Sequence, residues 1–216
     1  MMLVSSSSVQ HTRSIPGAQE VDAWLVDLDG TLYWQFPVRV AMALELALFG
    51  WRDIGLIARF RREQEALRKA EALPGCPYQT QLERTARALG RAPGDIRGVV
   101  SKWMEQRPGK WMRLWRRRGL LMRVTAFRQA GGRTALVSDY PARQKLAALN
   151  AVQLFDVVVA CGEADGPLEL KPSPQGYLLA AERLGVEPSR CLVIGDREDA
   201  DGEAARRAGM RYWQVG

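Results

Sequence analysis

The chain has 216 residues, of which 47% are hydrophobic and 25% are charged, which is ordinary for a globular protein with a sizeable core. Its 31 Lys and Arg residues outnumber its 24 Asp and Glu residues, giving a formal net charge of +7. No stretch is apolar over the ~20 residues that a transmembrane helix needs, so the sequence predicts no membrane span.

Histidine and cysteine usage disfavours several classes of enzyme chemistry. The only histidine is His11, so Ser-His-Asp or Cys-His catalysis and histidine-ligated zinc lack a residue in the folded part. The three cysteines, Cys76, Cys161 and Cys191, form no C-x-x-C pair and fit a reducing compartment, so we expect a cytoplasmic protein. Residues 1–20 are serine-rich without an apolar block, which predicts a disordered tail rather than a signal peptide.

The first predicted element is a buried strand over the apolar run Ala23–Val26. It leads directly into Asp27, Asp29 and Gly30. Because side chains alternate along a strand, we expect both carboxylates to leave it on the same side. Two close carboxylates stay ionised when a cation lies beside them, and oxygen ligands suit Mg²⁺. Gly30 allows the backbone to approach a ligand closely.

The next 85 residues, 34–118, are predicted to form a helical insert. This segment contains 18 Lys and Arg residues and 8 Asp and Glu residues, a net charge of +10, whereas the rest of the chain carries −3. A basic insert beside an acidic site suits a small, strongly anionic substrate. Its predicted helices cover residues 38–49, 51–73, 78–89 and 93–106, followed by a short basic and aromatic segment over 110–118.

From residue 119 onward the pattern alternates between strands and helices. We therefore predict an α/β fold, a Rossmann-like parallel sheet with helices on both faces, built from residues 21–33 and 119–216. Ligands bind such sheets at the carboxyl ends of the strands. The later strands are predicted over 134–138, 157–161, 191–194 and 211–215, and the helices over 121–130, 142–149, 175–184 and 202–208.

Polar residues follow three of these predicted elements. Ser138 ends a strand, where its hydroxyl can bind a phosphate oxygen or cap the next helix. Lys171 begins a K-P-S-P string whose prolines stiffen the backbone around one ammonium group, although a lone lysine can simply be solvated. Asp196 follows the next strand, and either Asp199 or Asp201 can supply a second acid; the alternative is an acidic helix N-terminus.

Taken in order, these segments resemble the four motifs of the haloacid dehalogenase superfamily, in particular its phosphoglycolate-phosphatase-like members. The string D-L-D-G-T-L at 27–32 is similar to the first motif, Ser138 to the second, K-P-S-P at 171–174 to the third, and G-D-x4-D at 195–201 to the fourth. Asp139 stands where that superfamily commonly has Asn. The insert resembles the family's helical cap between the first and second motifs.

The resemblance implies a Mg²⁺-dependent phosphatase that acts through an aspartyl-phosphate. It assigns Asp27 as nucleophile and Asp29 as general acid and base. The metal site would comprise Asp27, Asp29 through its backbone carbonyl, Asp196 and Asp201, where Asp201 is the second acid of the fourth motif and Asp199 is its alternative. Dehalogenases of the superfamily lack the acid corresponding to Asp29, because a halide leaves without a proton.

The resemblance further implies that Gly30, Ser138 and Lys171 bind the phosphoryl group. Two other functions stay open: a phosphomutase, or a non-catalytic basic protein that binds nucleic acid or an anionic membrane. The binding function is suggested by Lys110–Arg118, where Trp111 and Trp115 share a helical face among cations. We favour the interpretation that both tryptophans pack in the core. The sequence predicts neither the substrate nor the oligomeric state.

Overall fold

The structure, a computed structural model, describes residues 15–68 and 75–216. In these residues five strands form one parallel sheet: β1 (Ala23–Asp27), β2 (Arg133–Ser138), β3 (Val157–Ala160), β4 (Cys191–Gly195) and β5 (Arg211–Gln214). Their order across the sheet is β3-β2-β1-β4-β5. The predicted α/β class with a parallel sheet is confirmed, and β1 lies at the centre of the sheet.

The helices of the described residues fall into two groups, one before and one after β2. The first group is α1 (Gln35–Phe49), α2 (Ile54–Arg68), α3 (Pro77–Leu89), α4 (Pro93–Val100), α5 (Gly109–Leu114) and α6 (Arg118–Gln129). The second group is α7 (Arg143–Leu149), α8 (Gln175–Leu184) and α9 (Glu203–Arg207). A π-helical turn, Ser101–Gln106, extends α4 over the rest of the helix predicted there.

Both faces of the sheet are covered, as expected for parallel strands. Along β1, Trp24 and Val26 belong to one hydrophobic cluster, and Ala23 and Leu25 belong to a second cluster on the opposite face. Helix α6 covers the first face, where the ring of Phe127 stacks on Trp24 with centroids 4.3 Å apart. Helices α8 and α9 cover the second face.

Two antiparallel segments connect the sheet with helices α1–α5. Tyr33 pairs with Arg116 in a β-bridge, and the N–H groups of Trp34 and Arg117 donate to carbonyls of the opposite segment, both at 2.9 Å. The predicted cap boundaries, residues 34 and 118, lie at this crossing. We keep the division into a core domain and a cap domain as a proposal.

Residues 1–14 of the predicted tail lie outside the described residues, whereas 15–20 pack on the sheet domain. Ile15 and Ala18 contact the hydrophobic core, and the indole N–H of Trp24 donates to the carbonyl of Pro16 at 3.0 Å. These contacts assign 15–20 to the folded part, in contrast to the predicted tail over 1–20. No helix in the described segments combines the length and hydropathy needed to cross a bilayer.

Candidate active site

The end of β1 brings the first two predicted acids to a cleft. Asp27 is the last residue of the strand and is 7% exposed, and the Thr31 hydroxyl donates to its Oδ2 at 3.0 Å. The strand stops there and residues 28–31 turn, so strand alternation does not set the direction of Asp29. Both carboxylates nevertheless line the same cleft.

Lys171 is buried beside Asp27, although the two residues are far apart in sequence. Its ammonium group donates to Asp27 Oδ1 at 2.5 Å, to Asp201 Oδ1 at 2.7 Å and to the carbonyl of Val137 at 3.2 Å. The loop that follows β3 thus delivers the lysine of the K-P-S-P string to the end of β1. A buried ammonium group that donates to two carboxylates and a carbonyl is held in one position.

Three predicted acids converge next to this lysine. Asp27, Asp196 and Asp201 each present a carboxylate oxygen within 4.8 Å of the others. The hydroxyl of Tyr177 donates to Asp201 Oδ1 at 2.7 Å, which holds that side chain in place. Asp199 instead pairs with Arg197 at 2.7 Å, and its side chain is 72% exposed. The structure therefore brings Asp201, and not Asp199, into the acidic cluster.

The electrostatics of this cluster favour a bound cation. Burial raises the pKa of Asp27 to about 8, since the attraction of Lys171 does not offset desolvation and the repulsion from Asp201. Burial and the charge of Asp201 also raise the pKa of Asp196. One ammonium group leaves three carboxylates undercompensated, and an all-oxygen donor set of this kind suits a hard divalent ion. The acidic cluster can therefore hold a metal ion.

Gly30 allows the turn after β1 to approach Asp196. Its φ is +100°, and a Cβ built there would lie 2.1 Å from Asp196 Oδ2. Gly195, at the end of β4, likewise allows a close approach, because a Cβ at that position would lie 2.4 Å from Cγ of Asp201. The two glycines allow the two strand ends to bring their carboxylates together.

Asp29 is held by two residues that sequence reasoning missed. The ammonium group of Lys145 donates to both carboxylate oxygens, at 2.8 and 2.6 Å, and the Tyr33 hydroxyl donates to Oδ1. Burial alone would raise the pKa of Asp29, but the charge and hydrogen bonds of Lys145 lower it below its usual value. No sequence motif marks Lys145. The one feature that could have indicated a role at the site is its position in the first turn of α7, the helix that follows β2.

The end of β2 adds a hydroxyl and a carboxylate. Ser138 is buried, lines the cleft, and accepts a hydrogen bond from the N–H of Tyr140 at 3.2 Å. The neighbouring Asp139 accepts from the N–H of Lys171 at 3.1 Å and from the guanidinium of Arg68, on α2, at 2.8 Å. The Asp139 side chain thus connects the lysine loop with the helical segment above the cleft.

The cleft lies between the carboxyl edge of the sheet, helices α1 and α2, and the π-helical turn Ser101–Gln106. Its volume is about 400 Å³, which suits a small ligand. Besides the acids and lysines already described, the helical segment lines it with both charged and apolar side chains. They include Val38, Arg39, Met42, Arg61, Gln64, Glu65, Arg68, Trp103 and Met104.

Trp111 and Trp115, the pair that could have marked a nucleic-acid or membrane surface, pack in the structure. Their rings stack with centroids 5.5 Å apart, and both contact the hydrophobic core. The indole N–H of Trp111 also donates to Glu45 at 2.8 Å. This pair is therefore only partly available to a ligand.

A sequence model of the haloacid dehalogenase-like hydrolases matches residues 21–209. The fructose-1-phosphate phosphatase YqaB of Escherichia coli is 48% identical over 67 residues, which cover 30% of this chain and 32% of that protein. The phosphoglycolate phosphatase of Aquifex aeolicus is 39% identical over 91 residues, 41% of each chain. The chain thus matches less than half the length of these curated relatives.

The solved structures that resemble this one include L-2-haloacid dehalogenase from Xanthobacter autotrophicus. The TM-score is 0.63 at 22% sequence identity, and the match covers 90% of this chain and 77% of that chain. A likeness at this level of identity concerns the fold.

Proposed function

The chain belongs to the haloacid dehalogenase-like hydrolase family, and we propose that it is a Mg²⁺-dependent phosphatase that hydrolyses a small phosphorylated metabolite. The observation that carries the proposal is the convergence of Asp27, Lys171, Asp196 and Asp201 at one edge of the sheet. Curated relatives named as phosphatases support the same activity.

In the first step, Asp27 attacks the phosphorus atom of the substrate. A carboxylate oxygen forms a bond to phosphorus, the ester P–O bond breaks, and the leaving oxygen takes a proton from Asp29. The product of this step is an aspartyl-phosphate on Asp27. The presence of an acid at position 29 favours phosphoryl transfer over dehalogenation as the reaction, because an alkoxide leaving group needs a proton and a halide does not.

In the second step, Asp29 accepts a proton from a water molecule that attacks the same phosphorus atom. Phosphate leaves, and Asp27 returns to its starting state. Asp27, Asp196 and the Asp29 carbonyl would hold the metal, with Asp201 beside them. When bound, Mg²⁺ neutralises negative charge on the phosphoryl group.

Lys171 and Ser138 would bind the phosphoryl oxygens. The ammonium group of Lys171 already lies within hydrogen-bond distance of Asp27, so an oxygen of the group that Asp27 attacks comes within its reach. Ser138 lines the cleft from the neighbouring strand end. The turn at Gly30 would add backbone N–H groups.

A phosphatase assay with a generic substrate, 4-nitrophenyl phosphate, tests the proposal. We expect turnover that requires Mg²⁺, disappears with a chelator and disappears in Asp27→Asn. A screen of sugar, nucleotide and organic-acid phosphates then identifies the substrate class. A mutase would return the phosphoryl group to an organic acceptor instead of releasing phosphate, and a purely binding protein would show no Mg²⁺-dependent turnover.

A further inference from the structure

The outward face of α1 consists of exposed apolar side chains. Phe36, Val40, Leu44 and Leu48 recur every four residues, and their exposed fractions are 80%, 44%, 60% and 71%. Exposed alanines, Ala43 and Ala47, lie on the same side of the helix. The opposite side of α1 lines the cleft and packs on the core.

Further apolar side chains are exposed at the C-terminal end of α1 and just beyond it. Phe49, Trp51 and Ile54 are 70%, 64% and 43% exposed. An aromatic side chain presents roughly 150–250 Å² and a Val or Leu side chain roughly 100 Å², so the exposed parts of Phe36, Val40, Leu44 and Leu48 together amount to roughly 300 Å². Contiguous apolar patches beyond a few hundred Å² are uncommon on monomers and mark interaction surfaces. We call the surface of Phe36, Val40, Leu44 and Leu48 the α1 face.

The segment that carries the α1 face presents basic but no unpaired acidic groups. Its two acids point inward: Glu45 is 8% exposed and accepts from the Trp111 indole, and Asp53 accepts from the Trp103 indole at 2.8 Å. Arg39 and Arg52 are exposed, and the Arg52 guanidinium lies 5.0 Å from the centre of the Trp51 ring. The face is thus apolar with cations at its margin.

We infer that the α1 face docks on the surface of an anionic lipid bilayer. An interfacial helix inserts its apolar side into the boundary between headgroups and acyl chains, with aromatic anchors and flanking cations. The net charge of the helical insert favours a lipid surface over a second copy of the chain as the partner of the α1 face. Residues 34–118 carry a net charge of +10, so two such segments face to face repel each other, whereas anionic headgroups attract one.

Vesicle co-sedimentation of the full chain tests this inference. The probes are vesicles of phosphatidylcholine alone and vesicles of an equal mixture of phosphatidylcholine and phosphatidylglycerol. We expect binding to the anionic vesicles to be about tenfold tighter or more, and to weaken as salt rises. The double variant Leu44→Glu/Leu48→Glu should bind them about tenfold more weakly, since two acids enter the face.

A matched control places the same two charges elsewhere. Met122 and Leu168 are 71% and 51% exposed and lie outside the α1 face, so Met122→Glu/Leu168→Glu should bind anionic vesicles within about twofold of the wild type. Since all four residues are exposed, both double variants should keep the wild-type melting temperature within a few degrees, which a thermal melt checks.

Three results would overturn the inference. The first is wild-type binding no tighter to anionic than to neutral vesicles. The second is equal loss of binding in both double variants, which assigns the effect to net charge alone. The third is a lipid-free dimer in sedimentation velocity that only Leu44→Glu/Leu48→Glu dissociates, which would make the α1 face an interface between copies.

Discussion

The ammonium group of Lys145 lies 2.6 and 2.8 Å from the two carboxylate oxygens of Asp29. The two residues are 116 positions apart, and Lys145 is itself only 6% exposed. The pairing keeps the carboxylate ionised, whereas the proposed first step needs Asp29 to carry a proton. We therefore propose that Lys145 acts on the reaction through Asp29, as a positioning residue.

Lys145→Met should shift the pH profile of kcat/KM for an alkyl phosphate to higher pH. Asp29 must be protonated to act as the acid, and Lys145 lowers its pKa. Removal of the cation leaves burial as the dominant influence, so the pKa of Asp29 rises and the alkaline limb of the profile moves upward. A pH titration of initial rates in both proteins measures the shift.

Leaving-group chemistry provides the control for the Lys145 variant. 4-nitrophenyl phosphate departs with little need of a proton, so its profile should move much less, and Lys145→Arg should restore the profile for the alkyl substrate. An alkaline limb that stays in place for the alkyl phosphate would rule out coupling between Lys145 and Asp29 during the reaction.

Mg²⁺ affinity should depend on pH because the raised pKa of Asp27 makes protons compete with the ion for its carboxylate. Its pKa is raised to about 8, so below that pH a proton must leave when the ion binds. The apparent Kd should rise by about tenfold per pH unit toward acid and level off above pH 8. Isothermal titration calorimetry in buffers of different ionisation enthalpy measures both affinity and proton release. Affinity that stays constant from pH 6 to pH 9 would contradict this prediction.

Gly30→Ala should damage the site far more than an equivalent glycine substitution elsewhere. Gly131 shares the positive φ but has no atom within 4 Å of a built Cβ, so Gly131→Ala introduces backbone strain without a collision. Both variants should lose on the order of 1–3 kcal/mol of unfolding free energy from that strain. In Gly30→Ala the new methyl group would additionally displace Asp196.

Mg²⁺-dependent turnover separates the two alanine variants. Gly30→Ala should lose at least about a hundredfold in kcat, and Gly131→Ala should keep wild-type activity at a temperature where it is folded. Chemical denaturation gives the stability of each variant. Equal activity in the two proteins would exclude the proposed need for close approach at Gly30.

Asp201→Asn and Asp199→Asn should differ in Mg²⁺ binding. Asp201 lies in the acidic cluster beside Lys171, whereas Asp199 is exposed and paired with Arg197. We expect the first variant to weaken Mg²⁺ binding by about tenfold or more, since one of three converging charges is removed. The second should stay within about twofold of wild type. The opposite ranking would assign the second acid of the fourth motif to Asp199.

The strands and the sheet class could be predicted because local patterns dominate there. Each predicted strand overlaps an observed one, and the end of β1 carries Asp27 as expected. Buried parallel strands are continuous apolar runs bounded by polar residues, a signal that does not depend on tertiary contacts. The strand ends then determine which polar residues can meet.

Contacts between distant residues could not be predicted in the same way. Lys145 occupies a helix without a motif, and only the tertiary placement of α7, which packs against α5, turns it toward Asp29. The choice between Asp199 and Asp201 depends on how the π-helical turn after β4 directs each side chain, which sequence spacing does not encode. The packing of residues 15–20 likewise depends on tertiary contacts, including the hydrogen bond from the Trp24 indole to the Pro16 carbonyl eight residues earlier.

Trapping of a phosphorylated aspartate tests the central claim most directly. The protein is mixed with Mg²⁺ and a phosphate ester, quenched in acid within one turnover, and reduced with borohydride, which converts an acyl-phosphate to an alcohol. Peptide mass spectrometry should then find homoserine at position 27, and nothing there in Asp27→Asn or without Mg²⁺. Turnover with an unmodified Asp27, or with the modification on another acid, would contradict the account.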